Sequence, residues 1–210
     1  MPTDWYRNET WDEAVERMFD EKLRRARSSG RDQYLRLQAN ALVRARPDVA
    51  LQLLERYFAL GVTTFDAEAF EIRARALLAL GRVDGAIEAY EATLKREEEF
   101  PNVKTNCRLD LPLLIASRRI ESRYQQALDL AREAEQDESL MSFPAARFQC
   151  HAAKALIAAD SGRLAEARAD AALAIEAAEQ QHSGYRYHPD VGLVAGQHAE
   201  ILADLKRIIA

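Results

Sequence analysis

Apolar residues recur along this chain at intervals of three and four over nearly its whole length, and short polar breaks containing glycine or proline separate the runs. This spacing predicts helices throughout and no strands. Trp11, Val15, Met18, Phe19 and Leu23 make one stripe of an N-terminal helix expected over 10–28. Thr10 and Glu13 have the spacing of a capping box, in which hydroxyl and carboxylate each satisfy a backbone amide. Helical hairpins are expected over 31–61, 66–99, 101–138 and 143–181. Turns are read at Pro47, at Gly81, at Ser122 and at Gly162, and Pro112 is expected to kink or shorten its helix. A terminal helix over 189–209 carries Val191, Val194, His198, Ile201, Leu205 and Ile208 on one face.

Within this pattern a short phrase returns four times: an alanine followed four residues later by an apolar side chain, at Ala50, Ala86, Ala127 and Ala167. A period near 40 residues is that of stacked helical hairpins. Phe100-Pro101 through Cys107 is echoed by Phe143-Pro144 through Cys150. Both prolines are therefore expected at the first turn of a hairpin's first helix, where a missing amide costs nothing, and both cysteines at equivalent positions.

Phe70, Ala74, Leu77, Gly81, Ala86 and Tyr90, and again Ala155, Gly162 and Ala167, resemble the aromatic, small, apolar and turn-glycine positions of the tetratricopeptide repeat family. Thr93 and Glu98 depart from that pattern. The resemblance implies an all-α fold: a right-handed α-solenoid of about four hairpins, with an N-terminal helix and a C-terminal capping helix. It also implies that the first helix of each hairpin lines a concave groove that holds a protein or peptide segment. The carboxylate-clamp variety of the family needs a set of Lys, Asn and Arg of which only fragments are present here, Asn40 with Arg75 and Asn106 with Arg147.

Composition narrows the function classes. The 210 residues are 48% hydrophobic with only eight Gly, suiting one helical domain. The net charge of −5 comes from 29 basic and 34 acidic residues in mixed order, against a general nucleic-acid or membrane-surface binder. No apolar run approaches the roughly 20 residues of a membrane span. The polar start Met1-Pro2-Thr3-Asp4-Trp5 is unlike a secretory leader, so the expected compartment is the cytoplasm, with Cys107 and Cys150 as reduced core thiols.

No nucleophile elbow, phosphate loop or dinucleotide fingerprint is present, so an enzyme is not expected, nor a cofactor. His151, His182, His188 and His198 lack paired-ligand spacing, and no metal is expected. A metal-dependent enzyme built on the loop from His182 to His198 is the remote alternative. The local charge that points to function is basic: Lys104, Arg108, Arg118, Arg119 and Arg123 form a cluster that Arg75, Arg147 and Lys154 extend, with Glu71 one helical turn before Arg75 as a further groove residue. Guanidinium groups pair with carboxylates in a bidentate way, so the expected partner is an acidic protein segment. The alternative is a homodimer joined through Trp5, Tyr6 and Trp11, residue types favoured as interface anchors.

Overall fold

Asp12, not Thr10, opens the first helix of the computed structural model, which describes residues 4–194 and 196–210. Its carboxylate accepts from the amides of Ala14 and Val15, both at 2.9 Å. A charged acceptor that takes two orphan amides beside the positive end of the helix dipole outcompetes a hydroxyl two residues earlier. The polar start at Met1, Pro2 and Thr3 lies outside the described residues.

All regular structure among the described residues is helical. The chain forms two compact units, the first ending at Cys107 and the second beginning at Arg108. The first holds α1 (Glu13–Arg25), α2 (Arg31–Leu42), α3 (Pro47–Phe58), α4 (Asp66–Ala79) and α5 (Val83–Glu99). In the second lie α6 (Cys107–Ser117) from Arg108 onward, its first residue closing the first unit, then α7 (Tyr124–Glu135), the single turn α8 (Glu138–Met141), α9 (Pro144–Asp160), α10 (Leu164–Ala178) and α11 (Ala199–Ile209). Helices α2 and α3, α4 and α5, and α9 and α10 pack as neighbours joined by short turns.

The four repeated alanines all occupy the fourth residue of a helix, in α3, α5, α7 and α10, and all are fully buried. A methyl group at this place lets the neighbouring helix come close, because interaxial distance is set by the side chains at the contact. The residue before each of these helices is also the same: Arg46, Arg82, Arg123 and Arg163 stand at the N-cap and make no side-chain cap. A cation there opposes the helix dipole. Three of the four turn forward onto an acceptor in the first turn. Arg46 grips Asp48 at 3.1 and 2.8 Å, Arg123 donates to Gln126 at 3.1 Å, and Arg163 pairs with Glu166 at 2.7 Å.

The ends of α4, α6 and α9 also share one geometry. Gly81, Arg119 and Gly162 lie in the left-handed region, at φ 73°, 53° and 74°. In each case the next amide reaches back five residues, Arg82 to Leu77, Ile120 to Ile115 and Arg163 to Ala158, at 2.9 to 3.0 Å. This is the Schellman ending, which satisfies the last carbonyls of a helix. The turn equivalent to the two glycines is thus Arg119 and not Ser122, and it carries a Cβ where the backbone favours none.

The echo between 100–107 and 143–150 holds at one end only. Pro144 is the first residue of α9, but Pro101 lies in an irregular segment, because α5 runs on to Glu99 and α6 begins at Cys107. That segment is tied down by Glu97, which is 3% exposed and accepts from the Thr105 amide and hydroxyl, both at 2.7 Å. The cysteines do correspond. Cys107 Sγ donates to the Tyr90 carbonyl and Cys150 Sγ to that of Ala131, each four residues beyond a repeat alanine. Pro112 is buried inside α6, which continues through it.

The last helix starts at Ala199, ten residues later than the stripe suggested. The preceding segment is instead folded onto α9: Tyr185 stacks on Phe143 with ring centroids 5.5 Å apart, and the Gly192 carbonyl accepts from Ala145 at 2.7 Å. A Cβ at Gly192 would meet Phe143 at 2.4 Å, so the close approach requires glycine.

Replacing Arg119 by Gly is expected to stabilise the protein by about 0.5–1 kcal/mol, because relief of the left-handed strain exceeds the added chain entropy. Gly162→Ala is expected to destabilise by about 1 kcal/mol by the same reasoning. Denaturant midpoints measure both, and a loss of stability in Arg119→Gly would mean that the arginine's contacts outweigh the strain.

Candidate functional site

The first unit carries an open cavity of about 520 Å³. Its floor is apolar, with Leu37 and Ala41 of α2, and its rim is cationic, with Arg7 from the N-terminal segment, Arg44 from the turn after α2 and Arg75 from α4. Glu9 is the one carboxylate on the lining, and Asn40 contributes an amide. In a chain of net charge −5, three guanidiniums facing one carboxylate make a local reversal of sign. Arg75 Nη1 donates to Asn40 Oδ1 at 3.1 Å, which fixes the guanidinium while leaving its other donors available to a ligand. Arg7 pairs with Asp4 at 2.8 Å, an exposed contact of small energy.

The N-terminal wall of this cavity is held from beneath. Gln38 of α2 is fully buried. Its Oε1 accepts from the backbone amide and the side-chain amide of Asn8, at 3.0 and 2.8 Å, and its Nε2 donates to the Asn8 carbonyl at 2.8 Å. Trp5, Tyr6 and Trp11 lean inward on either side of this clamp and pack against the core. Trp5 lies 5.4 Å from Phe19 and 4.8 Å from Tyr34, and Trp11 lies 5.5 Å from Phe19.

In the second unit, charge is gathered but balanced. His151 Nδ1 lies 2.8 Å from Asp170, and Lys154 lies 2.8 Å from Glu135 and 3.2 Å from Asp170. The four side chains join α7, α9 and α10, and none is more than one-third exposed. Burial disfavours the Asp170 anion, but hydrogen bonds from His151 and Lys154 outweigh it and hold the carboxyl below its usual value. Burial likewise opposes the Lys154 cation, and the two carboxylates prevail and raise it. The neighbouring Cys150 thiol is pushed up to about 12, mainly by burial. A thiol so far from ionisation is a poor nucleophile. A smaller cavity of about 190 Å³ in this unit is lined by Arg119 and Arg207 but also by Asp160 and Asp204. Arg119 faces Asp160 at 3.6 Å, and Asp160 accepts from Tyr124 at 2.6 Å.

The basic residues singled out in the sequence therefore meet different fates. Arg75 faces the first unit's cavity, whereas Glu71 accepts from the Asn106 amide at 3.0 Å and Lys104 is exposed between α5 and α6. In the second unit Arg118 is exposed and Arg108 reaches Glu133 at 3.4 Å. Arg147 is consumed internally, bonded to the Met141 carbonyl at 3.1 Å and to Gln180 at 2.7 Å. Lys154 belongs to the ion cluster. Arg7, Glu9, Arg44 and the Gln38 clamp went unread in the sequence. Their one visible signal is Gln38 itself, a polar residue on the stripe of Leu35, Ala39 and Leu42.

The histidines of the late segment are also separated. His182 Nδ1 accepts from Gly184 at 3.0 Å, and His198 lies against Phe148 with burial lowering its pKa. Among the described residues, no group of three or more His, Cys, Asp or Glu is placed to hold a metal ion. Nor is any described helix long and apolar enough to cross a membrane. Comparison with protein-family models, curated proteins and solved structures returns no match for this chain.

Asp170→Asn is expected to cost about 1–3 kcal/mol at neutral pH, as Lys154 loses a partially buried partner. Because the Asp170 carboxyl is held below its ordinary value, its contribution is present above about pH 4 and disappears as the pH falls through the folded value. Denaturation series at several pH values should therefore show wild type and variant converging in acid. A gap independent of pH would assign the loss to packing instead.

Proposed function

We propose that this chain is a non-enzymatic interaction module, a tetratricopeptide-like α-solenoid, that binds an acidic protein segment. The observation that supports it best is the cavity of the first unit, where Arg7, Arg44 and Arg75 with Asn40 surround an apolar floor. Carboxylates of a bound segment would pair with the guanidiniums while its apolar side chains cover Leu37 and Ala41. Recurrence of the buried alanine at one helical position in four helices is what the hairpin repeat requires, and three Schellman endings of one geometry suit the same reading. The ion cluster of the second unit favours a structural role there over catalysis, since its charges are mutually satisfied and the adjacent thiol is protonated.

This reading moves the recognition site from the predicted strip of eight residues to the first unit, with Arg75 as the residue common to both. A fluorescein-labelled oligoglutamate peptide is the probe. It is expected to bind the wild type, to lose about tenfold or more in affinity to Arg75→Glu and to Arg44→Glu, and to be released in ~1 M salt, where screening shortens to about 3 Å. Arg118→Glu is expected to bind as wild type. Equal affinity in wild type and Arg75→Glu, measured by fluorescence anisotropy, would sink the assignment.

A further inference from the structure

We infer that residues 4–11 are a working wall of the binding cavity, and that Gln38 is the positioning residue that holds this strap, and with it Arg7, in place. The inference rests on the cavity being the binding site.

The first observation is the placement of Gln38. A primary amide fully removed from water is retained only where its donors and acceptor are satisfied, and an apolar residue would serve a helix stripe better. Leu35, Ala39 and Leu42 flank it on that stripe, so helix packing alone gives no reason for glutamine. What the amide does is bond three times to Asn8, which lies thirty residues away in sequence. Backbone amide, carbonyl and side chain of Asn8 are all engaged, a grip on main chain that fixes the segment's position.

The second observation is what this grip places. Asn8 stands between Arg7 and Glu9, and both of those side chains line the cavity. Upstream the chain is turned by the Arg7 amide donating to the Asp4 carbonyl at 2.9 Å, and the Asn8 side chain ties down the Trp5 carbonyl at 2.7 Å. Downstream, Arg46 Nη1 donates to the Trp11 carbonyl at 3.2 Å. The strap is thus folded on itself and packed through Trp5 upstream, bonded to Arg46 downstream and clamped at its middle, the middle being the part that faces the cavity. Arg7 supplies one of the three guanidiniums there and Glu9 the one carboxylate, so a displaced strap leaves the net charge of the lining unchanged but takes away a wall and one of the groups able to pair with a bound carboxylate.

The same geometry sets the sign of each residue's effect on an acidic ligand. Arg7 attracts it, while Glu9 on the same wall repels it, and Glu9→Gln should tighten binding. Gln38 touches no ligand and acts only through Asn8.

The test uses the full chain with Gln38→Met, which keeps the side-chain shape and removes the bonds, Arg7→Ala, and the double variant. Strap position is read by the rate of tryptic cleavage after Arg7, and binding by anisotropy of labelled oligoglutamate. We expect faster cleavage at Arg7 in Gln38→Met, a loss of affinity of about tenfold in each single variant, and no further loss in the double variant. Asn8→Ala, which alters only the strap, should reproduce part of both effects and guards against a misfolded Gln38→Met. The inference is overturned if Gln38→Met releases the strap yet binds as wild type, if the two losses multiply in the double variant, or if cleavage is unchanged. Equal binding by wild type and Arg75→Glu overturns the cavity reading and the inference together, whereas loss in Arg75→Glu with none in Gln38→Met overturns the strap's role alone.

Discussion

Two helices can approach only as closely as the side chains between them allow, and in this protein alanine stands buried at the fourth residue of α3, α5, α7 and α10. Each is fully buried. A larger side chain there would push the neighbouring helix outward or adopt a poor rotamer, and overpacking of this kind typically costs about 1–3 kcal/mol. Short turns between α4 and α5 and between α9 and α10 are compatible with the fold because the helices they join are close. The Schellman endings follow from the same closeness, since the chain must reverse within a few residues while still satisfying the last carbonyls.

Where no such repeat ties the chain down, buried carboxylates do. Asp66, 5% exposed, accepts from the Thr63 amide at 3.2 Å and the Tyr57 hydroxyl at 3.0 Å, and faces Arg96 at 3.3 Å. The loop after α3 is thereby fixed to the end of α5. Burial together with the Asp66 charge pushes the Tyr57 phenol up, so it remains a hydrogen-bond donor. Glu97 does the same for 100–106. These irregular segments are held by charge-assisted hydrogen bonds, which are stronger than neutral ones and costly to leave half made. The N-terminal strap uses an uncharged version of this device through Gln38.

Local signals made much of the fold legible. Helices, the turn glycines Gly81 and Gly162, the alanine period and Pro144 all depend on interactions within a few residues, so they can be read from one stretch of sequence at a time. The misreadings have a common origin. Thr10, Pro101 and Ser122 each carry a sound local signal that was overridden by a competitor: a better cap at Asp12, an α5 that runs on to Glu99, and a backbone reversal that settles on Arg119. The site was less legible still. Arg75 and Asn40 are visible in the sequence as a pair, but the cavity is also lined by Arg7, and the contact that brings Arg7 there joins residues 8 and 38. A glutamine on an apolar stripe was the available sign, and it indicates only that a polar partner exists.

The distribution of charge explains why several basic side chains in this protein are engaged internally. With 34 acidic and 29 basic residues, most cations have an internal claimant. Arg147 is bonded to carbonyls and Gln180, Lys154 to two carboxylates, and Arg108 reaches Glu133. A cation held in a half-buried pair must break that pair to take a ligand, whereas an exposed pair such as Arg7 with Asp4 yields at little cost, so the number of basic residues alone is a weak guide to recognition. Arg75 differs because it donates to the neutral amide of Asn40, which orients the guanidinium without neutralising it. A held but unneutralised charge costs a ligand little ordering entropy and no competing ion pair. That combination, more than the number of basic residues nearby, distinguishes the first unit's cavity from the balanced clusters of the second.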